Sequence, residues 1–285
     1  MAQAIRRDTH RTGISALQLL RYVICGLAAF FFLVPIAIAL VGGLKTNAQL
    51  VASPFSLPHP VQWSNYTDVL RSSSFWRQCW NSLFVMLTTT LLVLGLASTA
   101  AFVFARMPFK GRELLFTYFS LGLLFPATVA ILPLYILVRQ FGLVDTLWGV
   151  ILPQVAFALP FSILILRNFF IGIPRELEDA AYVDGASAFE FFLRILLPLA
   201  RPGLAAVSVL TMVTSWKNFF LPLVVLNNEK LWTLPLGVMQ YQGQFGSDWG
   251  KILAFVSLAL TPTVIFYLIA ERQIIAGLTA GSVKG

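Results

Sequence analysis

From Tyr22 to Val41 the chain runs for twenty residues without one charged side chain. At about 1.5 Å per helical residue, that length crosses a hydrocarbon core of about 30 Å. The pattern returns at 80–105, 114–138, 146–166 and 252–270, all uncharged, and at 202–226, which is apolar apart from Lys217. Six such stretches predict an all-α polytopic membrane protein with six transmembrane helices. Pro126, Pro133, Pro153, Pro160, Pro222 and Pro262 lie inside them. In a soluble helix each would be a break. In a membrane bundle, neighbours or cavity water can satisfy the freed carbonyls. Kinked helices around a pathway and plain packing irregularity both remain open readings of these prolines.

Only 11% of the residues are charged, against about 25% in ordinary soluble domains. With 58% hydrophobic residues, the chain cannot hide its apolar surface in one soluble core. The net charge of +8 does not mark a nucleic-acid binder, because its positions report membrane orientation instead. With the N-terminus in the cytoplasm, thirteen of the twenty Lys and Arg fall on the cytoplasmic side and seven on the outer side. That bias predicts both termini inside. Arg6, Arg7 and Arg11 precede the first apolar run. The run is too long for a signal-peptide core and lacks a clear small-x-small cleavage site. It reads as a retained helix. The expected segments are a cytoplasmic tail at 1–17, a first transmembrane helix at 18–42 and an outer loop at 43–75. A five-helix transmembrane core follows at 76–271, containing a cytoplasmic loop at 172–201, and then a cytoplasmic tail at 272–285. Cys25 and Cys79 are isolated, and His10 and His59 have no ligand-like neighbours. Neither a disulfide framework nor a metal site is indicated.

The loop at 172–201 carries the most distinctive sequence. Residues 174–198 read as two short helices joined by a tight break. Pro174 suits a first helical position, and Glu176, Glu178 and Asp179 place negative charge at the positive end of that helix. Leu177, Ala180, Ala181 and Asp184 fall at helical spacing on one face, where two alanines would let a partner approach closely. Gly185 supplies the break. Ser187 and Glu190 have the spacing of a capping box for the second helix, and Pro198 marks its end. From these features alone, a solvated amphipathic segment and a docking element are equal readings.

Asp179-Ala180-Ala181, then Gly185, then Phe192, Ile195 and Leu197-Pro198 resembles the signature of the membrane subunits of bacterial ABC importers. That signature is written EAA, then G, then I-x-LP; here Asp179 stands for the glutamate, with Glu178 before it. The stretches 211–226 and 231–237, and the ending from Glu271 to Gly285, resemble the maltose-type carbohydrate branch, so the likeness covers about 15–285. The resemblance implies a type I importer permease in the bacterial inner membrane. Its cytoplasmic coupling helix would include Glu178, Asp179, Ala180, Ala181, Asp184 and Gly185. Phe192, Ile195, Leu197 and Pro198 would follow it in the coupling loop. The implied partners are a second homologous permease, two copies of an ATPase that carries the ATP and Mg²⁺, and an extracytoplasmic solute-binding protein. The outer loop at 227–249, with Tyr241, Gln242, Gln244 and Asp248, would reach towards the binding protein. Residues 277–285 would reach the ATPase.

The chain itself has no phosphate-cradling G-x-x-x-x-G-K-[ST] loop, no G-x-S-x-G elbow and no H-E-x-x-H pair. No catalytic residue and no cofactor in this chain is expected, and ATP hydrolysis would fall to a separate subunit. Gln154, Trp216, Lys217 and Asn218 are pathway candidates on polarity and aromatic character. The family often has Trp-Asn, an acidic residue and Phe where this chain has Trp216-Lys217-Asn218-Phe219. A lysine inside a span is costly and faces a cavity or a partner. It would contact an anionic substrate, pair with an acid on the second permease, or snorkel to the interface. The expected substrate is a sugar or oligosaccharide, with a phosphorylated polyol such as glycerol 3-phosphate as the alternative. A gradient-driven transporter and a non-transporting scaffold are the rivals from other classes.

Overall fold

The computed structural model describes residues 16–243 and 246–280 of the chain, and the side chains of 17–243 and 246–268. The first part comprises α1 (Ala16–Gly42), α2 (Asn47–Ala52), α3 (Ser64–Arg71), α4 (Ser73–Arg106) and α5 (Arg112–Leu121). After it come α6 (Ile131–Gln140), α7 (Trp148–Gly172), α8 (Glu176–Val183) and α9 (Ala188–Phe191). A π-helical turn at Phe192–Leu196 leads into α10 (Leu197–Leu199), α11 (Arg201–Trp216) and α12 (Phe220–Val225). Two strands, β1 (Gln242–Gly243) and β2 (Gly246–Ser247), pair antiparallel with Gln242 opposite Ser247, and α13 (Trp249–Ala280) follows.

The centre of the molecule is the α4–α7 pair. Val93, Ala97 and Ala101 recur every four residues on α4 and are wholly buried against Val150, Ile151, Leu166 and Phe170 of α7. Small residues matter here because lipid is as apolar as leucine. Helices in a membrane associate through close packing rather than through escape from water. The helix α11 packs on α4, α7 and α13, and α1 packs on α13. That contact is close at the last residue of α1, where a β-carbon on Gly42 would lie 2.5 Å from Leu253 Cδ1 of α13. The most apolar part of α1 buries nothing inside the chain, and Phe30, Phe31 and Phe32 stand exposed on it, as lipid-facing side chains do.

Four helices among the described residues are long and apolar enough to cross a membrane: α1, α4, α7 and α13. A fifth is obtained if the pair Ala188–Leu199 and Arg201–Trp216, bent by 76°, is counted as one. Two of the six expected stretches are interrupted. At 114–138 the chain leaves α5 through a 3₁₀ turn at Gly122–Leu124 and re-forms a helix only at Ile131. Pro126, which has no amide hydrogen, sits in that break. Gly122 lets the turn press against α7, where a β-carbon would come within 2.9 Å of Pro160 Cγ. At 202–226 the helix stops at Trp216 and restarts at Phe220. Pro153, Pro160 and Pro262 stay inside continuous helices.

The loop at 43–75 is more ordered than its prolines suggest. It holds α2 and α3, and α4 begins at Ser73, earlier than the apolar run alone indicates. Lys45 is buried to 1% exposure and donates to the carbonyls of Pro54 (2.8 Å) and Ser53 (3.1 Å). The Asn65 amide donates to Gly43 O and Lys45 O at 3.0 and 2.9 Å. Two buried side chains thus supply the hydrogen bonds that an irregular backbone cannot make with itself.

Candidate functional site

The segment from α8 to α10 is built by its caps. Three acids, Glu176, Glu178 and Asp179, occupy the first turn of α8, where the helix dipole favours negative charge. Pro174 lies just ahead of the capping residue Arg175 rather than at the first helical position. The helix ends in a Schellman turn. Gly185 takes φ +86°, Ala186 N–H donates to Ala181 O at 2.9 Å, and Gly185 N–H donates to Tyr182 O at 3.1 Å. The expected capping box is formed: Glu190 N–H donates to the Ser187 hydroxyl at 3.2 Å, and Ser187 N–H donates to the Glu190 carboxylate at 3.0 Å. These bonds from Ser187, with Arg194 nearby, hold the Glu190 carboxyl below its ordinary pKa.

Beyond the box the chain widens. Leu197 N–H reaches back five residues to Phe192 O, and Pro198 has no amide hydrogen to restore the α-helical register. The turn is anchored inward. Phe191 and Leu196 are wholly buried, and the Phe192 ring lies 4.9 Å from that of Phe102 on α4. Ile195, Leu197 and Pro198 are partly buried.

The motif residues therefore divide. Asp179, Ala180, Asp184 and Gly185 face outward, with Leu177 and Phe189 exposed beside them and Val183 87% exposed. Ala181 does not share that outward face as the spacing suggested; it is 6% exposed and packs in the core. Glu178 is also turned inward. Its carboxylate lies 3.3 Å from Arg106 Nη1 and accepts the Tyr182 hydroxyl at 3.0 Å. Arg106 is the last residue of α4. Its Nη2 donates to Ile173 O at 2.6 Å and Phe170 O at 2.5 Å, at the end of α7. The sequence offered Arg106 only as one charge in an orientation count.

A second arginine works at the same end of the bundle. Arg167 of α7 meets both oxygens of Glu113 at 2.8 and 3.0 Å, donates to Phe104 O at 3.3 Å and lies 4.0 Å over the Phe116 ring.

Nearer the middle, a cavity of about 580 Å³ opens between α4, the 122–131 stretch, α7 and the 207–221 stretch. Of the pathway candidates, Gln154, Lys217 and Asn218 line it. Gln154 is 9% exposed, and neither its amide oxygen nor its nitrogen has a partner. The hydroxyls of Thr89 and Ser215, also lining residues, are buried and unpaired as well. Asn218 accepts Leu221 N–H at 3.3 Å. Lys217 caps α11 through its backbone and is exposed, and no side-chain ion pair of Lys217 occurs among the described residues. Among the described residues, no Asp or Glu lines the space. Trp216 is not part of it. Its indole donates to Ala259 O at 3.3 Å, its ring meets Phe266 edge-on at 5.8 Å, and it packs between α11 and α13. Sequence reasoning passed over Thr89, Thr211 and Ser215; the helical spacing of Thr211, Thr214 and Ser215 beside Lys217 was the available signal.

At the far end of the bundle, the four residues expected to meet a binding protein also divide. Tyr241 packs on Phe255 at 5.6 Å, and Gln242 is exposed in the hairpin. Asp248 is used internally: its carboxylate accepts Lys251 N–H at 3.2 Å, capping α13, and lies 3.9 Å from Lys251 Nζ. Lys251 in turn pairs with Asp68 at 3.3 Å. Gln244 lies outside the described residues, as does the tail at 281–285.

Residues 94–274 match the family described as binding-protein-dependent transport system inner membrane component. The diacetylchitobiose uptake system permease protein NgcG of Streptomyces coelicolor is 33% identical over 254 residues, 88% of this chain and 84% of its own length. The arabinooligosaccharides transport system permease protein AraQ of Bacillus subtilis is 33% identical over 261 residues, covering 90% and 92%. Among solved structures, a bacterial ABC transporter involved in import of the acidic polysaccharide alginate superposes with a TM-score of 0.79. It is 22% identical, and the match covers 90% of this chain and 95% of that one. The match over most of the α4–α13 bundle, together with these full-length relatives, shows that the chain belongs to the family of binding-protein-dependent transport system inner membrane components, the permeases of ABC importers.

Proposed function

We propose that this chain forms half of the translocation pathway of an ATP-driven importer for a sugar or oligosaccharide. The observation that carries the reading is the α8–α10 segment. It presents Asp179, Ala180, Val183 and Phe189 outward while Ala181, Phe191, Phe192 and Leu196 root it in the core. An exposed, charged helix on a rigid base suits a docking element, which a solvated loop would not need. In this reading a separate ATPase, present in two copies with its ATP and Mg²⁺, grips α8. A second homologous permease faces the 580 Å³ cavity, and a solute-binding protein delivers substrate at the opposite end.

Six crossings follow if the broken stretches, α5 with α6 and the segment from α10 to α12, each count as one. Both termini then lie in the cytoplasm, with the tail at 1–17, the first crossing at 18–42, the outer loop at 43–75, the core at 76–271 and the tail at 272–285. Gln154, Lys217 and Asn218 are the pathway residues, with Thr89 and Ser215 beside them. Gln242 and Gln244 remain candidates for the binding-protein contact. Relatives named for diacetylchitobiose and arabinooligosaccharides support a saccharide over a phosphorylated polyol.

The test is co-purification of the tagged chain from its native membrane, followed by uptake in proteoliposomes made from what comes with it. An ATPase, a second permease and a binding protein, with saccharide uptake that needs internal ATP, is the expected result. Uptake by the chain alone on an ion gradient would overturn the reading.

A further inference from the structure

Arg106 carries an inference beyond docking. Three residues, Ile173 to Arg175, join α7 to α8, too few to fix the angle between the helices by their own packing. The arginine at the end of α4 bridges the gap. Nη2 of its guanidinium donates to the carbonyls of Phe170 and Ile173, where α7 ends; Nη1 donates to the Glu178 carboxylate in the first turn of α8. Both ends are electrostatically matched. The cation sits at the negative end of one helix dipole and the anion at the positive end of the next. The pair is shielded, with side chains 3% and 13% exposed, so salt screens it weakly.

We propose that Arg106 is a positioning residue for transport: it makes the end of α4, the end of α7 and α8 move as one body when the ATPase shifts α8. The proposal rests on the reading of α8 as the ATPase-docking helix. Nη2 holds both carbonyls while Nη1, at the other corner of the planar fork, meets the carboxylate. A lysine keeps the charge and has three donors, but they sit on one nitrogen, which cannot occupy both Nη positions. Rigid transfer matters because α4 and α7 both line the cavity through Thr89 and Gln154. With the clamp intact, displacement of α8 reaches those residues. Without it, the Ile173–Arg175 link bends and the stroke is lost.

The experiment uses the whole importer in proteoliposomes, comparing wild type with Arg106→Lys and Glu178→Gln. Two quantities are read: ATP hydrolysed and labelled saccharide imported. The expected result is normal recovery of the ATPase with either variant, continued hydrolysis, and about a tenfold fall in saccharide moved per ATP for Arg106→Lys, an ordinary size for coupling between sites. Glu178→Gln falls less, because the carbonyl contacts survive. A spin label on Val183 paired with one on α7 should hold its distance through the cycle in wild type and spread in Arg106→Lys. An unchanged import-to-ATP ratio overturns the proposal. So does a loss of uptake explained entirely by less assembled complex in both variants, since that is a structural role only. If the wild-type chain recovers no ATPase, the docking reading itself fails and the clamp falls with it.

Discussion

Asp145 and Asn228 meet across eighty-three positions of sequence, the Asn228 amide donating to Asp145 Oδ1 at 2.9 Å. Asn227 adds its own amide to the same oxygen and its side-chain nitrogen to the other. One carboxylate therefore ties the turn before α7 to the loop after α12. Asp145 takes φ 56° to do so, a left-handed conformation that Asp and Asn tolerate better than most residues.

The Asn228 bond is the largest cause that holds the Asp145 carboxyl below its ordinary pKa, ahead of those from Asn227. A depressed folded-state pKa contributes stability above the unfolded value of about 3.9, and that contribution is lost as pH falls through the folded value. Asp145→Asn keeps the backbone conformation and removes the charge. Melting temperatures in detergent should show wild type above the variant at pH 7, with the gap closing below about pH 4. A gap independent of pH would assign the effect to something other than the carboxylate.

Gly185→Ala should lower stability by about 1–2 kcal/mol. The space around Gly185 is open, so no clash is involved; the cost is the left-handed backbone at φ +86°. Uptake should fall with it, because Ala186 and the Ser187 box follow directly from that turn. Thermal unfolding and uptake measured on the same preparation decide this. An alanine variant as stable as wild type would mean the turn re-forms another way.

Asp179→Lys should leave membrane insertion and expression intact and abolish ATP-dependent uptake, since the side chain is exposed and its favourable interaction with the α8 dipole is worth only about 0.3–1 kcal/mol. Normal uptake at normal expression would remove the docking assignment. The neighbouring Glu178, bonded to Arg106, provides the contrast: its loss acts within the chain.

Gln154→Leu separates function from stability. Its amide is buried without a partner, so replacing it with an apolar group of similar size sacrifices no internal hydrogen bond and should leave the melting temperature unchanged or raised. If the amide serves substrate hydroxyls, the KM for saccharide should rise about fivefold, equivalent to about 1 kcal/mol of one hydrogen bond. Unchanged KM would place the substrate elsewhere in the cavity.

Much of this architecture is legible because membrane spans are dictated by local composition. The helices α1, α4, α7 and α13 follow from uncharged runs, and the Ser187–Glu190 box from a four-residue pattern. What could not be read depends on direction. Glu178 and Asp179 are adjacent in sequence but about 100° apart around a helix, and only packing decides which one points at Arg106. Trp216 looked like a pathway residue by type, yet its indole is turned onto α13. The broken stretch at 114–138 carries the apolar signal of a full crossing, and Gly122 with Pro126 converts it into two short helices. Arg106 was visible only as a charge, because its three acceptors lie 64 to 72 residues away.

The 76° bend between Ala188–Leu199 and Arg201–Trp216 makes the base of α11 an elbow. A push delivered along the first arm arrives nearly crosswise at the second, so it acts mostly as torque and little as compression. Swinging a helix demands far less deformation of its hydrogen-bond ladder than shortening it. If α8 is driven by an ATPase as proposed, its stroke would go into rotating the Thr211–Ser215 wall of the cavity, with the break at Ala200 serving as the pivot.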